Sequence, residues 1–136
     1  YHMANLSITA SDVKIARIIE QLPDGPADET VTAGQAVRYS TSTGKYTKAN
    51  GTTAAEARII GICTAVSGDG VTISVMRRGF LEVGSALSGL NYDAAVYLSD
   101  TDGTLADAAG TVSTVVGRVV PGWAATTADK LLFVAL

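Results

Sequence analysis

Apolar and polar side chains alternate from Val71 to Met76, with Val71, Ile73 and Val75 set against Thr72, Ser74 and Met76. A period of two predicts a strand with one face on a core and the other toward water. Ser67-Gly68-Asp69-Gly70 precedes it. Gly and Asp accept the backbone of a tight hairpin, so Arg58 to Val66 is the expected antiparallel partner. The same punctuation recurs at Thr43-Gly44, between strands Ala36 to Ser40 and Lys45 to Lys48, and at Asp102-Gly103, between Ala95 to Ser99 and Thr104 to Ala106. The closing strands are Val115 to Trp123 and Lys130 to Leu136, the second continuously apolar and so expected to be buried on both faces. Helix is limited to one turn at Thr53 to Glu56, with Thr53 as its N-cap. Short strands with turns every 8 to 12 residues or so predict an all-β fold, a small barrel or sandwich with little helix.

The chain also repeats itself. Ala36-Val37-Arg38-Tyr39-Ser40 through Gly44 matches Ala95-Val96-Tyr97-Leu98-Ser99 through Gly103 at a spacing of 59, and Ile60-Gly61-Ile62 matches Val116-Gly117-Arg118 at a spacing of 56. Two similar β-modules follow, each too small to bury its apolar face alone, so each must hide it on the other. Residues 4–29 differ in kind. Ile15, Ile18, Ile19 and Leu22 have helix-like spacing but are mostly β-branched, and Pro23-Asp24-Gly25-Pro26 then breaks the segment from the body. It is an N-terminal arm, docking on another chain, or an edge segment packed on its own body; residues 30–136 form the single β domain.

Composition narrows the chemistry. The 136 residues hold one Cys, Cys63, and one His, His2, within Tyr1-His2-Met3, which reads as a vector scar and initiator. Without a native His, the Ser-His-Asp, Cys-His and His-metal sites have no residues to build them. No enzyme is expected, and no cofactor or metal. With 10 Lys and Arg against 13 Asp and Glu, the net charge is −3 and the pI about 4.9, which gives no pull toward nucleic acid. No apolar run reaches the roughly 20 residues that a membrane helix needs, so the expected protein is soluble and unprocessed.

The remaining motifs read as structure. Asp100-Thr101-Asp102-Gly103 fails the spacing of a calcium loop and is expected to be a turn. Arg77 and Arg78 are adjacent on a strand and point to opposite faces, so they cannot clamp one anion together. Gly68-x-Gly70 lacks the context of a dinucleotide loop. The sequons at Asn5 and Asn50 read as a terminus and a turn. Trp123 and Phe133 are expected to anchor the core.

The ordered series Val31 to Val37, Ala57 to Ile62, Asp93 to Gly103, Val116 to Val119 and Leu131 to Val134 resembles the head-decoration, or capsid cement, proteins of tailed bacteriophages over about residues 30 to 136. Ser11-Asp12-Val13-Lys14 is similar to the start of such proteins. The resemblance implies a β-barrel or β-tulip-like body that forms a homotrimer. It also implies a place on the outer surface of the expanded capsid, after synthesis in the bacterial host cytoplasm. There the protein bridges major capsid proteins without catalysis. On that reading Val13, Ile15, Ile18 and Ile19 contact the capsid or a neighbouring copy. Another phage virion β-module, such as a head-fibre base or tail-associated piece, and a carbohydrate- or small-ligand-binding barrel using Trp123 or Tyr side chains are the alternatives.

Overall fold

The computed structural model describes residues 4–123 and 129–136. It is all-β, with one short 3-10 turn at Ala10–Asp12. The strands are β1 (Val13–Pro26), β2 (Ala36–Tyr39), β3 (Tyr46–Lys48), β4 (Gly61–Val66), β5 (Thr72–Val83), β6 (Ala95–Leu98), β7 (Leu105–Ala106), β8 (Val115–Pro121) and β9 (Lys130–Ala135). Their order is β3-β2-β4-β5-β9-β8-β6-β7, and β1 pairs β5 off this path. Every pairing between these strands is antiparallel. The sheet curls into a half-barrel.

The order reads the same from both ends once the repeat is applied, because β2, β3, β4 and β5 of the first module answer to β6, β7, β8 and β9 of the second. The register agrees at single-residue level. Ala36 pairs Ile62 and Val37 pairs Gly61 in the first module; Ala95 pairs Arg118 and Val96 pairs Gly117 in the second. Both hairpin glycines hold positive φ, 70° at Gly44 and 67° at Gly103, where a Cβ would be strained. The matching bonds Ser40 N–H to Lys45 O (2.8 Å) and Ser99 N–H to Thr104 O (2.9 Å) close the two hairpins.

Strand β5 is the hinge of the architecture. Its residues Ile73–Met76 pair β4 and its residues Arg78–Leu81 pair β9, while β1 runs beside all of it from Thr72 to Val83. One edge of β5 therefore belongs to β1, and the other forks into the two modules. Register breaks in β1 and β4, together with Arg77 falling outside the ladders, switch which side of β5 faces inward. Met76, expected to face water, is 1% exposed in the main core, whereas Ile73 and Val75 line a smaller cluster on the other side. Val71, expected on the core face, lies outside β5 and is exposed.

The main core joins both modules through Ile62, Met76, Leu81, Leu98, Leu105, Val119 and Leu132 among others, as mutual burial of the two half-sheets requires. The smaller cluster packs Val31, Val37, Tyr46, Cys63, Ile73 and Val75 beneath Leu22 and Ala27. Bonds between modules draw the curl together: Ala36 N–H to Gly103 O (2.9 Å), Gly103 N–H to Ala49 O (2.7 Å) and Gly51 N–H to Ser99 O (2.8 Å).

The strand ends fall close to their predicted places, with two exceptions. β4 begins at Gly61 rather than Arg58, and β5 continues seven residues beyond Met76. At Thr53 a single turn forms, with Glu56 N–H on the Thr53 hydroxyl (3.2 Å) and Ala57 N–H on its carbonyl (3.0 Å).

Candidate functional site

Residues 4–29 are laid along the body. Asn5 bridges Ala106 and Leu6 N–H donates to Leu105 O (2.8 Å), which covers the free edge of β7. At the other end Ala27 bridges Tyr46 and Asp28 N–H donates to Tyr46 O (3.0 Å), covering β3. Between these two anchors lies β1. The segment is thus a strap from one module's edge to the other's, and its helix-like spacing yields to the long ladder offered by β5.

The strap is not uniform. Val13 is half-buried against the main core, and Leu22 is half-buried over the smaller cluster. Every residue from Lys14 to Gln21 is exposed. A strand packed on one face buries alternate side chains; this stretch buries none. Ile15, Ile18 and Ile19 are 44%, 42% and 51% exposed. Of the four sequence-predicted contact residues, these three are exposed and Val13 is half-buried.

Two local features hold this stretch beside β5. Gly79 has φ 153°, and a Cβ there would stand 2.5 Å from the Arg17 carbonyl oxygen and 2.7 Å from Met76 Sδ. Only glycine lets β1 approach this closely. Arg77 reaches Glu20 at 2.9 Å, an exposed pair of small energetic weight that fixes direction more than stability. Arg78 instead donates to the Leu136 carbonyl at 3.3 Å, so the two arginines serve separate partners.

Elsewhere the candidate chemistry resolves into loop pins and a closed thiol. Asp100 accepts from Thr111 N–H and Oγ1, both at 2.8 Å, and Asp102 accepts from Asn50 Nδ2 at 2.6 Å. The Asp100 to Gly103 stretch is a hairpin turn. Asn50 is 5% exposed and also donates to Glu56 at 2.6 Å, so its sequon is shut inside the folded protein. Ser67 to Gly70 is likewise a turn, tied by Gly70 N–H to Ser67 O at 2.9 Å. Among the described residues no three His, Cys, Asp or Glu side chains converge as a metal site, and no helix is long and apolar enough to cross a membrane.

Cys63 is fully buried, and burial pushes its thiol up to about 11, so it stays protonated and unreactive at neutral pH. Burial also raises Tyr46 to about 12, assisted by neighbouring Tyr39; the Tyr46 hydroxyl donates to Pro23 O at 2.7 Å.

The expectation that Trp123 anchors the core fails. It is 84% exposed with φ 49°, in the turn after β8 rather than in the strand. Pro121 ends that strand, and Gly122 N–H turns to Asp129 O (2.7 Å), which throws Trp123 outward. Tyr92, hydrogen-bonded to Asp129 and beneath Lys130 Nζ at 5.2 Å, is exposed as well. Phe133 behaves nearer to expectation, half-buried and stacked on Phe80 with centroids 4.8 Å apart. Sequence reasoning missed the exposure of Tyr39, Val71 and Val115; single apolar positions carry no signal of whether a neighbour covers them.

Comparison with protein-family models, curated proteins and solved structures finds no match for this chain.

Proposed function

We propose that this chain is a structural virion protein that binds the outside of an expanded phage capsid and stabilises it by bridging major capsid proteins. The supporting observation is the run of eight exposed residues, Lys14 to Gln21, held along one edge of β5 with three uncovered isoleucines. Apolar side chains presented from a fixed strand lose little conformational entropy on docking. The ordered resemblance to cement proteins supplies the kind of surface that they meet. Val13 acts as the inner anchor of that strand, and Ile15, Ile18 and Ile19 as its contact residues.

The rest of the molecule suits a passive role. Its polar loops are tied to one another, its only thiol is closed, and its acidic charge does not compete for packaged DNA. A homo-oligomer, a trimer on this reading, presents several such strands to one lattice, so weak contacts add at high effective concentration. Because the protein binds the expanded shell and not its precursor, mass action shifts the equilibrium toward the expanded form. The test is incubation of purified protein with undecorated expanded heads, followed by sedimentation. Saturable co-sedimentation and a raised disruption temperature of the heads are expected; heads that emerge bare overturn the proposal.

A second reading draws on Trp123 and Tyr92, exposed aromatics of the kind on which a sugar ring stacks. A carbohydrate- or small-ligand-binding module would show a rise in melting temperature with its ligand, lost in Trp123→Ala.

A further inference from the structure

Of the asparagines Asn5, Asn50 and Asn91, only Asn50 is followed by glycine. An Asn-Gly pair is the sequence most open to deamidation, because the glycine nitrogen, with no Cβ beside it, reaches the asparagine side-chain carbon easily. The packing favours that glycine: a Cβ on Gly51 would stand 3.1 Å from Asp100 Oδ1 and 3.2 Å from the Leu98 carbonyl oxygen. The fold also closes the pair. Asn50 Nδ2 donates to Glu56 Oε2 and Asp102 Oδ1, both at 2.6 Å, while Asn50 Oδ1 accepts from Thr52 N–H (3.0 Å) and Thr52 Oγ1 (2.5 Å). All four bonding positions of a 5% exposed amide are filled. The attacking nitrogen is committed too, since Gly51 N–H donates to Ser99 O at 2.8 Å. Around them run further bonds between the modules, Gly103 N–H to Ala49 O and Val112 N–H to Gly51 O, both 2.7 Å. Asn50 is the donor that holds two carboxylates, one from each module, at this joint.

We propose that Asn50 is a latent self-modification site, shut by folding, whose conversion to an acid unfastens the two modules. Gly51 N attacks Asn50 Cγ, and the new C–N bond closes a succinimide ring. The side-chain nitrogen leaves as ammonia, taking the proton that Gly51 N–H gives up. Water then opens the ring at either carbonyl, which yields aspartate or isoaspartate; no oxidant or metal takes part. In the folded chain Ser99 O holds the Gly51 proton and four bonds pin the Asn50 amide. Attack therefore waits for local opening, and its rate follows the open fraction. The product does not refit. A carboxylate at position 50 replaces the shared donor by a third acceptor, against Glu56 and Asp102, where like charges repel and lone pairs go unmatched. Nearby charges give no relief: Asp100 is a further acid, held by Thr111, and Lys48 pairs with Glu29. Isoaspartate also adds a carbon to the main chain between the bonds of Ala49 and Gly51. The joint thus marks, irreversibly, chains that have spent time open. This inference does not rest on the shell reading.

Peptide mass spectrometry of the full chain tests it, after incubation at mildly alkaline pH with and without guanidinium. Asn5 and Asn91, which lack a following glycine, are the internal standards. In denaturant Asn50 is expected to convert ahead of both; in the native protein it converts slower by about a hundredfold or more. When denaturant is removed from a partly converted sample, unconverted chains regain the native melting transition and converted chains collect in the unfolded or early-melting fraction. Asn50→Asp reproduces that loss in one step. Its acidic cluster binds a proton more tightly folded than unfolded, so its deficit against wild type is small at about pH 4 and grows as pH rises to neutrality. Should this variant fail to fold at neutral pH, the two rates on the wild-type chain still decide. Equal conversion of Asn50 in folded and unfolded protein, converted chains that regain the native melting temperature, or a deficit of Asn50→Asp that is the same at both pH values overturns the proposal.

Discussion

The two modules share a pairing register and differ in what covers them. Val37, Tyr46 and Cys63 of the first stand where Val96, Leu105 and Val119 stand in the second, by the same spacings of 59 and 56. Yet the first three line the smaller cluster under Leu22 and Ala27, and the second three line the main core. Equivalent sequence thus specifies equivalent hydrogen bonding, while the strap determines which side becomes interior. The first module needs the end of β1 as its roof; the second packs directly on its partner. Backbone register is a local property of the repeat. Burial is a property of the whole chain.

The sharpest way to break this comparison is at the paired glycines. A Cβ on Gly117 would lie 1.9 Å from the Phe133 carbonyl oxygen; on Gly61 it would lie 2.5 Å from Val75 Cγ1 and 2.7 Å from Met76 O. The Gly117 clash is with backbone alone and is the closer, whereas the nearest atom to Gly61 is a side-chain methyl that can shift, so Gly117→Ala is expected to cost about 3 kcal/mol or more and Gly61→Ala about 1 to 3 kcal/mol in denaturant titration. Equal costs would show that the second module is no more tightly built. Next comes Gly79→Ala, which forces β1 away from β5 and is expected to cost about 2 kcal/mol. Its signature is accelerated amide exchange in Lys14–Gln21, with β8 and β9 unaffected.

The buried thiol offers a finer contrast, because its counterpart Val119 cannot ionise. Cys63 releases its proton near 9 when unfolded and about 11 when folded, so the unfolded chain alone loses the proton between those values. Stability is therefore full below pH 9 and falls by about 2 kcal/mol as pH rises toward 11. Cys63→Val removes that part of the decline and leaves the part owed to Tyr46, read from melts across the pH range. Smallest of all, Ile18→Thr leaves the stability of dilute protein within about 0.5 kcal/mol, since Ile18 touches no core. A large loss there would mean that β1 is buried by its own body.

What the sequence disclosed follows the same division. The hairpins at Gly44 and Gly103 and the offsets between Val37 and Val96 were legible, because turns and ladders answer to local residue type. The length of β5 was not: register breaks around Arg77 and Gly79 spoil the alternation that marks a strand. β1 hid behind spacing suited equally to a helix, since a strand exposed on both faces has no period of two. Trp123 misled for a related reason. Its burial depends on neighbours that Pro121 and Gly122 steer away. Ile15, Ile18 and Ile19 were identifiable as unusual, and their exposure emerged only with the fold.

Amide hydrogen exchange along β1 tests the central claim most directly: that Lys14–Gln21 is the contact surface of an otherwise passive body. Dilute monomeric protein and protein assembled on expanded heads would be measured side by side. The account predicts that amides of Lys14–Gln21 slow markedly on assembly, more than those of any other strand, whether a neighbouring copy or the shell covers them. Exchange there as fast in the assembled protein as in the free protein, or protein that never assembles on heads, would contradict it.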